Sequence, residues 1–177
     1  DINSRKDLRR LNFVTIDGSN AKDFDDAVYA EESSDGFLLY VAIADVSEYV
    51  LQDSSLDKEA LSRATSVYFE KKVIPMLPEL ISNKLCSLRP NEDKLVLTCE
   101  IYLDREGEIK SFEFFNSVIC SKNRLTYDEV EKFYQKGQTP LSNDIVSNLS
   151  TLKKIHALRR KICLLYTSDA ADDDVRV

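Results

Sequence analysis

The chain has 177 residues, a formal net charge of −7, and 43% hydrophobic and 31% charged residues, the composition of an ordinary globular protein long enough for one sizeable core. No apolar run approaches the roughly 20 residues a membrane helix needs, and no basic, apolar leader opens the chain, so neither a membrane role nor export is expected. The acidic balance argues against binding nucleic acid through bulk positive charge, but not against an enzyme whose carboxylates hold metal ions.

In chain order, "LNFVTID" predicts a strand over Leu11–Ile16, and "DAVYAEE" a second strand after an acidic stretch. The turn signal "SSDG" follows. "FLLYVAIADV" is almost continuously apolar, as expected of a central strand buried on both faces. Capping residues and then good helix formers predict a helix over Leu56–Ala64. Pro75 and Pro78 make "VIPMLPEL" an extended connector, and "ISNKLCSL" reads as a short helix or turn. "DKLVLTCEIYLD" alternates, with Leu95, Leu97, Cys99, Ile101 and Leu103 on one face. It pairs through the turn "REGE" with the strand "IKSFEFFNSVICS", where Phe112, Phe114 and Phe115 are read as strand and core residues. "TYDEVEKFYQKG" predicts a helix with Thr126 near its N-cap and Gly137 near its end. Ile145, Leu149, Leu152, Ile155 and Leu158 then recur at helical spacing up to "LRRK". Strands first and helices later predict an α+β domain, a mixed sheet with helices packed on it.

Four cysteines, Cys86, Cys99, Cys120 and Cys163, stand far apart, and His156 is the single histidine. No zinc site is expected, and reduced, mostly buried thiols suit a cytoplasmic protein.

The stretch "TIDGSNAKDFDDAV" places Asp17, Asp23, Asp25 and Asp26 within ten positions beside apolar strands. Two unit charges 4 Å apart interact by about 4 kcal/mol at an effective dielectric near 20. Four converging carboxylates could therefore not all ionise without cations. Either they fan out into solvent as an acidic turn, or they converge on a hard divalent ion such as Mg²⁺. Gly18 permits the sharp turn the second case needs, and adjacent Asp25 and Asp26 would point to opposite sides of a strand start. A calcium loop of the EF-hand type fails, because Ser19 and Ala21 occupy ligand positions.

The same stretch resembles the signature of the ribonuclease II / ribonuclease R family, whose catalytic domain is called RNB. The resemblance continues through "YVAIADVSEYV", "LDKEALSRATSVYF", "VIPMLPELISNKLCSL" and "NRLTYDEV" to about "KIHALRRK". "TSVYF" and "LCSL" bring it nearer to the ribonuclease R branch. The resemblance implies a 3′→5′ exoribonuclease that hydrolyses single-stranded RNA to 5′-mononucleotides with Mg²⁺. It implies Asp17 and Asp26 as metal ligands, with Asp23 assisting. It implies Asp25 and Asp23 as catalytic residues, with Asp25 the position whose loss is expected to stop cleavage while RNA still binds. Tyr68 and Tyr127 match tyrosines that meet RNA, and bases stack on aromatic faces without regard to sequence. Without the resemblance, Tyr68 reads as a core tyrosine and Tyr127 as helix packing. The alternative function is a non-catalytic, RNA-binding or regulatory RNB protein.

Residues 1–161 are expected to be the N-terminal part of an RNB catalytic domain. The family's later half, and its cold-shock and S1 modules, would be missing partners supplied by the rest of the same protein. Without that half, apolar surface and poor solubility are expected. Residues 162–177, "ICLLYTSDAADDDVRV", match nothing in the family and are expected to be an artefactual or disordered tail.

Overall fold

The computed structural model describes residues 4–69, 72–137 and 140–173. Seven strands form one mixed sheet: β1 (Lys6–Asp7), β2 (Val14–Asp17), β3 (Asp26–Glu32), β4 (Gly36–Ala44), β7 (Asp93–Asp104), β8 (Ile109–Cys120) and β9 (Asn123–Thr126). Their spatial order is β1-β8-β7-β4-β3-β2-β9. The outermost pairs, β1 with β8 and β2 with β9, are parallel, and the rest are antiparallel. A separate two-stranded ribbon joins β5 (Val67–Phe69) to β6 (Lys72–Ile74). The helices are α1 (Ser55–Arg63), α2 (Tyr127–Lys136) and α3 (Asn143–Asp173). This is the expected α+β architecture.

The apolar run of β4 takes the middle place in the sheet, where both of its edges are paired. Gly36 opens it because a side chain there would meet the Leu103 carbonyl: a Cβ would lie 1.9 Å from that oxygen. α2 starts on a capping box, in which Thr126 Oγ1 accepts from the Glu129 amide and the Glu129 carboxylate accepts from the Thr126 amide. It ends at Gly137, whose φ of 67° is left-handed. α1 is capped by Ser54, whose side chain accepts from the Asp57 amide.

The two sheet faces bury different partners. On one face Phe13, Ala27, Tyr40, Ala42, Ala44, Leu88, Val96 and Ile119 form a core closed over by the 45–92 excursion. On the other, Val14, Leu125, Val130, Phe133, Ile145 and Leu149 join α2 and α3 to the β2–β9 edge. Ala30, Phe37, Leu103 and Ile155 continue that layer at the far end. The buried Asn148 ties α3 in by donating to the Asn12 carbonyl and accepting from the Ala30 amide. No helix among the described residues is long and apolar enough to cross a membrane.

Several expectations are corrected. The strand expected from Leu11 is β2, which begins at Val14 because the chain turns at Leu8–Leu11, and it reaches Asp17; the short β1 before it was not expected. β7 alternates as expected, but its two ends bury opposite faces. Lys94, Val96 and Thr98 are buried at one end and Leu103 at the other. α3 covers the odd-numbered face only near Leu103, which leaves Leu97 exposed. For the same reason Phe112 and Phe114 lie in a strand but not in a core, at 64% and 62% exposure. The connector "VIPMLPEL" contributes Val73 and Ile74 to β6 before it becomes irregular, and Ile81–Leu85 form one wide helical turn. Apart from these corrections, α3 is described as far as Asp173, within the range 162–177 expected to be a tail, and residues 174–177 lie outside the described residues.

Candidate functional site

β2 ends at Asp17 and β3 begins at Asp26, so the acidic loop 18–25 hangs from one end of the sheet. β4 also ends there and β7 begins there, since Asp26 pairs with Ile43 and Ala44 with Val96. The excursion 45–92 therefore emerges beside the loop. β9 runs parallel to β2 and finishes level with it, Thr126 opposite Asp17. That register sets Tyr127, the first residue of α2, immediately after the partner of Asp17.

The loop is clamped along its length. At its start Arg124 donates to the carbonyls of Gly18, at 2.7 Å, and Ser19, at 2.9 Å. Its guanidinium also lies over the Phe24 ring, 5.5 Å from the centroid. In the middle the buried Ser87 hydroxyl donates to the Lys22 carbonyl and accepts from the Phe24 amide, both at 3.1 Å. The Leu88 amide donates to the Phe24 carbonyl at 2.8 Å. At its end the Ala44 amide donates to the Asp25 carbonyl at 2.9 Å. These contacts fix the backbone of the loop, while the side chains of Asp25 and Asp26 are exposed.

The carboxylates influence one another. The pKa of Asp17 is raised above its ordinary value, first by burial and then by the charge of Asp26, with Arg124 opposing. Asp25 is exposed at its rim, yet the protein around it disfavours its charge and raises its pKa, and Asp23 and Asp26 add to the rise. The Oδ2 of Asp17 is buried without a hydrogen bond of normal geometry, as are Oγ1 of Thr15 and Nε of Arg124, which stand opposite each other on β2 and β9, and the nearby Thr15 hydroxyl offsets only part of the rise in the Asp17 pKa. A buried acceptor left unpaired costs about 1–3 kcal/mol. Hard anionic oxygens that repel one another fit a divalent cation such as Mg²⁺, which takes one or two protein carboxylates and fills its shell with water and phosphate oxygens. Among the described residues no three carboxylate, imidazole or thiol groups gather closely enough to cage an ion alone.

The fold brings Asp17, Asp23, Asp25, Asp26 and Tyr127 to one end of the sheet. Tyr127 is 64% exposed, and so is not the helix-packing residue it could have been. Tyr68 is 70% exposed on β5, next to exposed Phe69, and so is not a core residue. It belongs to the separate β5–β6 ribbon. Two residues that hold the loop, Arg124 and Ser87, were given no role from sequence. The signals were an arginine two positions before the N-cap of α2 and a serine inside the apolar run "LCSL".

The RNB domain model matches residues 5–164. The chain is 51% identical over 154 residues to ribonuclease R of Acidithiobacillus ferrooxidans, a match that covers 87% of this chain and 35% of the relative. Among solved structures it superposes on Mycoplasma genitalium RNase R in complex with ribose methylated single-stranded RNA, with a TM-score of 0.86 and 40% identity, over 89% of this chain and 25% of that one. It also superposes on yeast Ssd1, a pseudonuclease, with a TM-score of 0.75 over 89% of this chain and 19% of that one, at 23% identity, a likeness of fold alone. The chain spans about a third or less of the length of these proteins.

Proposed function

The chain belongs to the RNB-domain family, and from that premise we propose that it carries the carboxylate end of the active site of a 3′→5′ exoribonuclease acting on single-stranded RNA. The observation that carries this reading is the clamped acidic loop, with the buried Oδ2 of Asp17 at its root.

Asp17 and Asp26 would hold Mg²⁺, with Asp23 assisting. When bound, the ion neutralises phosphate charge and makes a water more acidic. Asp25, whose charge is disfavoured by burial and by its neighbours, is suited to accept the proton of the attacking water. The water oxygen joins phosphorus as the P–O3′ bond breaks. That leaves a 5′-phosphate on the released nucleotide and a 3′-hydroxyl on the shortened strand. Tyr127, beside the loop, and Tyr68, on its ribbon, offer exposed rings on which bases stack, worth about 1–3 kcal/mol per base. The free thiols Cys86, Cys99 and Cys120 suit a cytoplasmic setting.

The test is a chimera in which residues 8–161 replace the matched segment of the Acidithiobacillus ferrooxidans relative. With Mg²⁺ and 5′-labelled oligoadenylate, a ladder shortening from the 3′ end with release of 5′-AMP is expected. Tight RNA binding with no nucleotide released, from a chimera that melts cooperatively, would favour the non-catalytic alternative that the pseudonuclease fold makes concrete.

A further inference from the structure

Beside the acidic loop lies an open cavity of about 800 Å³, walled by the loop, the wide turn at Ile81–Leu85, the 89–92 segment and β9. Its rim carries four cations from four separate stretches of chain: Lys22, Lys84, Arg89 and Arg124. Two acidic residues, Glu79 and Glu92, also line it. Glu92 is already paired with Lys94 at 2.8 Å, which leaves Glu79 against the four cations. Among the described residues Lys22, Lys84 and Arg89 make no ion pair, and neither do Asp17, Asp23, Asp25 and Asp26. Arg124 acts through space on Asp17 and Arg89 on Glu92, but none of Lys22, Lys84 and Arg89 is closed into a contact ion pair among the described residues. Holding like charges around one concavity is unfavourable unless an anion comes to it. Phe24 and Pro90 add apolar wall, so the cavity suits an anion that carries a flat organic part.

We propose that this cavity is a phosphate-binding subsite for a nucleotide, with Lys84 and Arg89 as its principal cations. It rests on the nuclease reading above and adds to it a place for phosphate next to the carboxylates, at which Arg124 joins the two by holding the loop while facing the cavity. The phosphate can belong to the RNA strand or to the mononucleotide product.

The experiment measures binding of a short fluorescein-labelled oligoadenylate to the 177-residue chain by anisotropy, in EDTA and over a range of salt, with 5′-AMP as competitor. Lys84→Gln/Arg89→Gln is compared with Lys132→Gln/Lys136→Gln, which removes the same charge from the outer side of α2. The first pair is expected to weaken binding about tenfold and to lower the salt slope by about 1.4, at about 0.7 per phosphate contact. The control pair should change affinity less than about twofold. A strand site gives oligoadenylate binding that 5′-AMP does not displace. A product site gives 5′-AMP binding that falls in parallel in the first pair. Should that pair melt early, Lys84→Glu alone, at an exposed position, replaces it and should weaken binding further. Equal affinity in test and control pairs, or no binding of either ligand by the unaltered chain, overturns the subsite. Hydrolysis by the chimera with unchanged binding here would remove the subsite and leave the nuclease. Subsite binding with no hydrolysis would do the reverse.

Discussion

Arg124 and Gly18 are joined across the end of the sheet: the guanidinium donates to the Gly18 carbonyl at 2.7 Å, from a residue that stands opposite Thr15 in the parallel β2–β9 pair. The contact converts strand register into loop position, because β9 cannot shift without moving the turn after Asp17. Arg124→Ala removes it together with the bond to Ser19. Hydrogen bonds from a charged donor contribute roughly 1.5–3 kcal/mol, and this pair is partly exposed, so a loss of about 1–2 kcal/mol is expected in urea unfolding. Mg²⁺ should also bind more weakly. Unchanged stability and unchanged Mg²⁺ response would show that the arginine does not hold the loop.

Asp17 sits where its charge costs stability. Its carboxylate is partly buried, repelled by Asp26, and has one oxygen without a hydrogen bond of normal geometry. Asp17→Asn is therefore expected to raise Tm in EDTA by about 2–4 °C, equivalent to roughly 1 kcal/mol in a chain of this length. Mg²⁺ should raise the Tm of the unaltered chain and leave that of the variant in place. A variant that melts lower in EDTA, or that keeps the Mg²⁺ shift, contradicts the assignment.

The pH dependence follows from the same strain. A carboxyl whose folded pKa is raised above its ordinary 3.8 binds protons in the native state that the unfolded chain has lost. Its contribution to stability is fully present below 3.8 and is lost as pH rises through the folded value. Asp25 acts in the same direction. Glu129 and Glu32 act oppositely, since Thr126 and Lys154 respectively hold their pKa values down. Subtracting the pH–stability curve of Asp17→Asn from that of the unaltered chain isolates one group. The advantage of the variant should be present at neutral pH and shrink as pH falls towards 3.8. An advantage that grows on acidification would mean that Asp17 is stabilised by its surroundings.

Much of this was legible in the sequence, for identifiable reasons. The run "FLLYVAIA" could be placed mid-sheet because an unbroken apolar strand suits a central position, but the expected cover on both faces is incomplete, since Ile43 is exposed. Thr126 and Gly137 announced the start and the end of α2 through local capping chemistry. The spacing of the four aspartates survived because it needs only a short loop between adjacent strands. What failed was long-range. Whether Leu97 or Val96 is buried depends on how far α3 reaches across β7, and alternation does not encode that. The cations Lys22, Lys84, Arg89 and Arg124 form no stripe in the sequence and meet only when β9 pairs with β2. Ser87 looked like one polar residue in an apolar run until its hydroxyl met the backbone of Lys22 and Phe24.

Part of the sheet face that carries α2 and α3 remains uncovered. Ile43 pairs with Leu97, Cys99 with Phe114 and Ile101 with Phe112, so these side chains share a face, and Ile43, Leu97, Phe112 and Phe114 are exposed. The Phe112 and Phe114 rings meet edge to face, their centroids 5.8 Å apart. Contiguous apolar surface of this kind drives association. Phe112→Thr/Phe114→Thr is expected to reduce concentration-dependent self-association in sedimentation while changing stability by less than about 1 kcal/mol. Association that persists undiminished would place the sticky surface elsewhere, for instance on the exposed β5–β6 ribbon.

The most direct test of the central claim, that the clamped acidic loop performs hydrolysis, is Asp25→Asn in the chimera, with RNA binding and Mg²⁺-dependent nucleotide release measured on the same preparation. Oligoadenylate affinity within about threefold of the unaltered chimera, together with a fall in release of at least about 10²-fold, the lower end for loss of a general base, is the predicted result. Release that continues at the unaltered rate would contradict it.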